Sequence, residues 1–423
     1  MGLIAQAVEQ FVLPVVVRMR LARELRESGV AYDLTSDEVR ADPYATYRQL
    51  RSVDPVHRMR LVDAWALTRY QDIEAVLRDH KRFGNAGRVL VETIPLSLLD
   101  IDPPAHTRLR LLVSKAFTPR AVAKLGARIQ ELADELLDAV AGKECFDLIA
   151  ALGYPLPITI IAEMLGVRPR DMDRFEQWSH ALALSVDPML GRDQVHAIEY
   201  AQQEAYAYFE TIIADRRGQP RDDLVSALIA AEEEGDRLSH EELLSVMLLL
   251  LVAGNETTRN LIGNGMLALL KNPDQLQRLR DQPELLDSAV DELLRYDSPV
   301  QLNGRKALED VQLGGKRIRA GQVVISLVGA ANRDPEVFAD PDSLDIGRRE
   351  KSHLSFGRGI HYCLGAPLAL LEARIAFASM LKRFTSIRLA LEPRHQQGVV
   401  LRGVEQLWIE VSRADRSAPP PVR

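Results

Sequence analysis

Cysteine is scarce: among 423 residues only Cys145 and Cys363 occur, so no disulfide framework is available and a reducing compartment such as the cytoplasm fits. Two thiols also cannot ligate an iron–sulfur cluster, which ordinarily takes four. Positive charge is outnumbered, 53 Lys and Arg against 60 Asp and Glu, and the net charge of −7 argues against a nucleic-acid binder. The two most apolar stretches, near Pro14 and from Leu243 to Ala253, both fall short of the about 20 residues that a bilayer span needs. No basic n-region of a signal peptide precedes the first of them. The sequence shows no internal repeat and no linker long enough to divide independent domains. What it does have is 47% hydrophobic residues and 22 prolines, the composition of a globular chain with ample core.

At the N-terminus Ile4, Val8, Phe11, Val12, Val15, Val16 and Met19 fall on one helical face, which Pro14 should kink. That face is expected to pack on the body of the protein, with peripheral contact to a membrane or partner as the alternative. Residues 1–31 therefore read as an amphipathic extension, 32–412 as one domain and 413–423, with Ser417-Ala418-Pro419-Pro420-Pro421, as a disordered tail.

Most of the domain has the apolar spacing of helices: Asp42 to Val53, Tyr70 to Asp79, Ala105 to Ala116, Arg120 to Ala141, Asp171 to Leu184, Gln194 to Arg216 and Asp222 to Glu234. Strand signals are short: Val56 to Leu61, Ala64 to Thr68, Gly304 to Ala307, Lys316 to Arg319, Val323 to Leu327, Ser386 to Leu389 and Leu407 to Val411. The fold class expected is mainly α, a large helical body with a small β-rich lobe. The strongest helix runs from His240 to Lys271, roughly 48 Å at 1.5 Å per residue. Ser239 and Glu242 make its capping box, Asn272-Pro273 ends it, and an almost wholly apolar run makes it a buried core helix.

Within that helix stands Ala253-Gly254-Asn255-Glu256-Thr257-Thr258. A carboxylate and two alcohols in a buried helix are costly unless they are used. Thr257 can bond the carbonyl of Ala253 and bend the helix, while Ala253 and Gly254 leave room for a flat ligand. A kink with a satisfied polar pair would be the purely structural alternative. Further on, Phe356-Gly357-Arg358-Gly359-Ile360-His361-Tyr362-Cys363-Leu364-Gly365 sets one thiol among three glycines. Glycine lets backbone approach a flat macrocycle, and main-chain N–H groups aimed at a sulfur tune it as a metal ligand. Cys145 lacks such a loop and reads as a structural thiol.

The decapeptide resembles the cysteine loop of the cytochrome P-450 family, the haem-thiolate monooxygenases, and further motifs follow in the family's order from about residue 32 to 412. The resemblance implies haem b with Cys363 as axial iron ligand, cradled by Phe356, Gly357, Gly365, Ala253 and Gly254. It implies that Thr257 holds dioxygen during activation while Glu256 relays protons. His106 and Arg110 of Asp102-Pro103-Pro104-Ala105-His106-Thr107-Arg108-Leu109-Arg110, together with Arg305 and His361, match its propionate contacts. Glu292 and Arg295 match its buried E-x-x-R network, whose third member would fall at Ser343, an unsuitable residue. The substrate pocket would include Leu249, Val252, Ala253, Val300, Leu302 and Val89 to Leu99, with Arg88 and Asn303 as polar anchors.

A monomeric monooxygenase is thereby implied, inserting one atom of O₂ into an apolar small molecule by hydroxylation or epoxidation. Electrons would come from NAD(P)H through a ferredoxin or flavodoxin and its reductase, docking where Arg108, Lys115, Arg120 and Arg358 gather on the thiolate face. The alternatives are a peroxide-driven peroxygenase and a catalytically silent haem-binding recruitment module.

Overall fold

The computed structural model describes residues 13–85, 97–188, 190–233 and 236–412. Ile4, Val8, Phe11, Val12, Arg88, the stretch from Val89 to residue 96 and the expected tail lie outside them. The first element, α1 (Leu13–Ser28), carries Pro14 in its opening turn, where a proline costs no helical bond. Its packed face differs from the expected one. Val15 and Met19 are 54% and 67% exposed, whereas buried Glu24 and half-buried Val17, Leu21 and Ser28 face the body. The polar Glu24 finds specific partners there, so apolar count alone misplaced the inner stripe.

The sheet lobe begins with β1 (Val56–Met59), β2 (Ala64–Leu67) and β3 (Phe83–Gly84). After α2 (Ala105–Ala116) comes β4 (Cys145–Asp147), then the broken core helix α3 (His240–Ala253) and α4 (Glu256–Lys271), and α5 (Leu286–Tyr296). The chain closes with β5 (Leu302–Ala307), β6 (Val323–Leu327), α6 (Ala366–Arg383), β7 (Ser386–Leu389) and β8 (Trp408–Ser412). One sheet has the order β1-β2-β6-β5-β3, with only β2 and β6 parallel; a second has the order β7-β8-β4 and is antiparallel. Register sets Arg305 of β5 opposite Val324 of β6.

The main core lies among the helices and includes Leu243, Met247, Leu248 and Leu251 of α3 with Phe377 and Met380 of α6. Two smaller clusters pack around the sheet lobe. The mainly helical expectation holds. The two-residue β3, β4, and the hairpin pairing Glu232–Glu233 with Asp236–Arg237 had no apolar alternation to announce them. The stretch expected as helix up to Glu234 ends at Ala230, and the hairpin's first strand starts at Glu232. Arg120 to Ala141 is likewise split, into Pro119–Lys124 and Gly126–Asp138. Cys145 sits on a strand with an exposed side chain, so it is not a packed core thiol.

Candidate active site

The expected single helix from His240 to Lys271 is two helices, interrupted at Gly254 and Asn255. The cause is local. Thr257 Oγ1 donates to Ala253 O at 3.0 Å, taking the carbonyl that an unbroken ladder would give to Thr257's own N–H. Asn255 stands at φ −113° and ψ −65°, and its Nδ2 donates to Ser179 Oγ at 2.9 Å. Gly254 is required at the break, because a Cβ there would meet Leu250 O at 2.7 Å and Ile161 at 3.1 Å. Ala253 is exposed and Thr257 half-exposed, although the helices around them are buried. Leu249, one turn earlier, and Val252, next to Ala253, are buried in the core cluster against which Phe356 and Leu364 also pack. Val300 and Leu302 are half-buried.

Glu256 is 4% exposed, and its Oε2 pairs with Arg259 Nη1 at 2.9 Å while its Oε1 has no partner among the described residues. Arg259 was not singled out in the sequence, yet it repeats the i, i+3 spacing of Glu292 and Arg295. It also donates to the carbonyls of Val404 and Glu405 at 3.3 Å. Both members of the pair line a cavity of about 510 Å³, shared with Arg40, His180 and Gln397.

The thiol loop is fixed by its own backbone. Cys363 N donates to Phe356 O at 2.9 Å, and Gly357 N to Leu354 O at 2.8 Å. Gly357 and Gly359 have φ of +70° and +71°, and a Cβ on Gly359 would stand 2.6 Å from Leu77 O, so only glycine suits that position. The Cys363 side chain is solvent-accessible. Protein packed around it nevertheless pushes the thiol's pKa up, while N–H groups of Gly365 and Ala366 and the Arg110 guanidinium pull the other way. These donors open α6, whose N-terminal dipole favours a thiolate.

Beside the loop, the rings of His106 and His361 lie 4.1 Å apart, and Arg110 donates to Tyr362 O at 2.5 Å. His106 is 1% exposed, its Nε2 has no partner among the described residues, and burial followed by the nearby Arg110 charge holds its pKa below the usual imidazole range. Asn85 Nδ2 approaches His361 Nδ1 at 3.3 Å, a contact that sequence reasoning missed because residue 85 precedes it by 276 positions. Arg305, 3% exposed, turns to Gly304 O at 2.8 Å and to the Asn303 side chain, so Asn303 is engaged within the protein.

The Glu292–Arg295 pair is bidentate, at 2.7 and 2.8 Å, with both side chains buried. Its third member is Arg348, whose Nε lies 3.1 Å from Glu292 Oε2. Ser343 contributes only its carbonyl, to both arginines at 3.2 Å. Arg108, expected on the thiolate face, instead pairs with Asp236 at 3.0 Å and with Glu242, because its helix runs past the start of α3.

A sequence profile of the cytochrome P-450 family matches residues 55–401. The chain belongs to the cytochrome P-450 family. The monooxygenase PikC of Streptomyces venezuelae is 44% identical over 389 residues, covering 88% of this chain and 92% of that one. Mycinamicin IV hydroxylase/epoxidase of Micromonospora griseorubida is 41% identical, with coverage of 88% and 99%. Among solved structures, P-450BioI in complex with a hexadec-9Z-enoic acid-ligated acyl carrier protein superposes with a TM-score of 0.85 at 37% identity, covering 89% of this chain and 99% of that one. The protein is thus a bacterial-type P-450 monooxygenase, an oxidoreductase of a family that carries haem and uses O₂. Among the described residues no helix is long and apolar enough to cross a membrane.

The residues fit a haem. An accessible thiol bears backbone donors, a buried imidazole nitrogen lacks a partner beside two arginines, and a helix break exposes Ala253.

One further carboxyl stands out behind these elements. Glu372 of α6 is 1% exposed, and burial, only partly opposed by the nearby Thr258 hydroxyl, pushes its pKa up to about 8. A folded-state carboxyl pKa above its unfolded value means that stability falls as pH rises from the unfolded carboxylate range towards 8. Glu372→Gln removes that titration and should gain roughly 3 kcal/mol over the native protein at pH 7, and more at pH 8. Urea unfolding at pH 4 should show nearly equal stabilities, and a gap that does not widen towards pH 8 would place the ionised carboxylate in the fold.

Proposed function

We propose that this monooxygenase inserts one oxygen atom into an apolar small molecule, by hydroxylation or epoxidation. Residues 32–412 would act as one catalytic unit, using electrons that pass from NAD(P)H through a separate ferredoxin or flavodoxin. The overall change balances as substrate C–H, O₂, two electrons and two protons giving C–OH and water. Haem, when bound, supplies the iron centre for O₂ activation. Cys363 would hold its iron through sulfur, and His106, Arg110, Arg305 and His361 would partner its propionates, since imidazole N–H and guanidinium groups suit carboxylates.

The observation that carries this reading is the helix break at Gly254–Asn255 with Thr257 at its edge. Thr257 offers a hydroxyl beside exposed Ala253, and Glu256 borders a cavity through which a proton can be replenished. An intact acid–alcohol pair favours the O₂ route over a peroxide-driven one. Leu249, Val252, Ala253, Val300 and Leu302 supply an aliphatic wall, which suits a polyketide-like or fatty acyl substrate, the kinds that the names of the polyketide-biosynthesis P-450 PksS and of the acyl carrier protein complex suggest. Lys115, Arg120 and Arg358 remain candidates for the electron donor's docking face. Peripheral membrane contact belongs to the same reading, since α1 turns Val15 and Met19 outward.

Thr257→Ala provides the test. The hydroxyl ligates nothing, so haem binding and reduction should persist, while product per NADPH falls and hydrogen peroxide rises. Glu256→Gln should instead slow turnover by roughly 10²-fold, the scale of a lost general acid–base group. Unchanged coupling in Thr257→Ala would reduce the break to a structural kink.

A further inference from the structure

Helix α1 lies outside residues 55–401, which the family profile matches. It is nevertheless held firmly, through one buried carboxylate. Glu24 Oε1 accepts from Tyr32 N at 2.6 Å and meets His57 Nε2 at 2.8 Å, and Oε2 accepts from Arg60 N at 2.7 Å. The other ring nitrogen of His57 lies 3.1 Å from Asp54 Oδ2. Both ring nitrogens thus face carboxylates with no exposure to water, an arrangement that fixes the rotation of α1 about its axis. The face opposite Glu24 is consequently presented outward.

At about 100° per residue that outer face holds Val15, Met19, Ala22 and Arg26, flanked by Arg18 and Arg23. Val15, Met19 and Leu25 are 54%, 67% and 53% exposed. Arg18, Arg20, Arg23 and Arg26 give the helix four positive charges, against one exposed acid, Glu27, which Arg23 holds at 2.7 Å and Arg60 also engages. The chain as a whole carries −7, so this helix reverses the sign of the protein. This is a crest of apolar side chains between arginines. It matches a lipid interface, where apolar groups enter the acyl boundary and arginine stems reach back to the headgroups.

We propose that α1 docks the enzyme on an anionic lipid surface. The proposal rests on the peripheral-contact reading and adds the class of lipid. The chain runs from α1 through 29–36 into the short helix Asp37–Ala41, whose Arg40 lines the cavity that also holds Glu256. An apolar substrate dissolved in the bilayer would thereby be concentrated near the enzyme.

The full-length haem-loaded protein should sediment with vesicles of phosphatidylcholine and phosphatidylglycerol, and far less with phosphatidylcholine alone. One arginine near such a surface contributes about 1 kcal/mol, or roughly fivefold in partitioning, so Arg18→Gln with Arg26→Gln should weaken binding roughly 25-fold. Raising salt from 0.1 to 1 M, which shortens the screening length from about 10 to 3 Å, should weaken the native protein similarly. These exposed substitutions should leave the CO-bound reduced spectrum unchanged, which excludes misfolding as the cause. Equal binding to both vesicle types would overturn the anionic-lipid assignment while keeping peripheral contact. No vesicle binding would overturn both, and retention on immobilised polyglutamate alongside it would assign the face to an acidic protein. Neither result would touch the monooxygenase reading, which coupling in Thr257→Ala tests separately.

Discussion

A Cys363→Ser variant is expected to lose the strongly red-shifted Soret band that the reduced, CO-bound native protein should show. The loss should be complete, because that shift arises from electron donation by a thiolate and an alcohol oxygen does not supply it. The loop should survive the exchange. Its bonds from Cys363 N to Phe356 O and from Gly357 N to Leu354 O are made by backbone, and serine is close to cysteine in size. Haem is therefore expected to bind weakly, turnover to vanish and helix content to stay native. Cys145→Ser is the matched control, since Cys145 lies exposed on strand β4. A band lost in that control and kept in Cys363→Ser would assign the ligand to the wrong thiol.

Glu292→Ala is expected to have the largest effect on folding. It would strand two guanidinium groups, Arg295 at 1% exposure and Arg348 at 8%, inside the protein. Removing one partner of a buried ion pair costs about 3–5 kcal/mol, because the remaining charge stays desolvated and uncompensated. The arginines cannot easily swing out. Arg295 also donates to Asn332 O and Pro341 O at 2.8 Å, and Arg348 to Ala339 O at 2.6 Å, so the network ties α5 to the segment that leads towards the thiol loop. Little soluble protein, or protein with a low haem-to-chain ratio, is the expected result. Ser343→Ala should change stability by less than about 0.5 kcal/mol, as only its carbonyl is used. Normal folding and haem content in Glu292→Ala would show that the pair is solvated in practice.

Local structure carried by contiguous residues was legible in the sequence. The thiol loop from Phe356 to Gly365 depends on backbone geometry that its own glycines dictate, so its pattern reports its structure directly. The same holds for Ala253 to Thr258, where a hydroxyl four residues from a carbonyl suffices to disturb a helix, and for the i, i+3 spacing of Glu292 and Arg295. Exact strand limits at Val323–Leu327 and Ser386–Leu389 also followed from short runs rich in β-branched residues.

What depends on groups distant in the chain emerges only on folding. That Thr257 breaks the helix outright, rather than bending it, needs Ser179 to receive the Asn255 amide from another helix. The third member of the buried ion network is Arg348 because Glu292 has a second oxygen edge facing that loop, 56 residues away. Arg108 turned from the thiolate face because Asp236 and Glu242 stand beside it only in the folded chain. The outer face of α1 was inverted for the same reason: Glu24 is polar in any periodicity plot, yet Tyr32, His57 and Arg60 together satisfy it in the interior. Local patterns register what each residue prefers in water, and burial with the right partners reverses that preference.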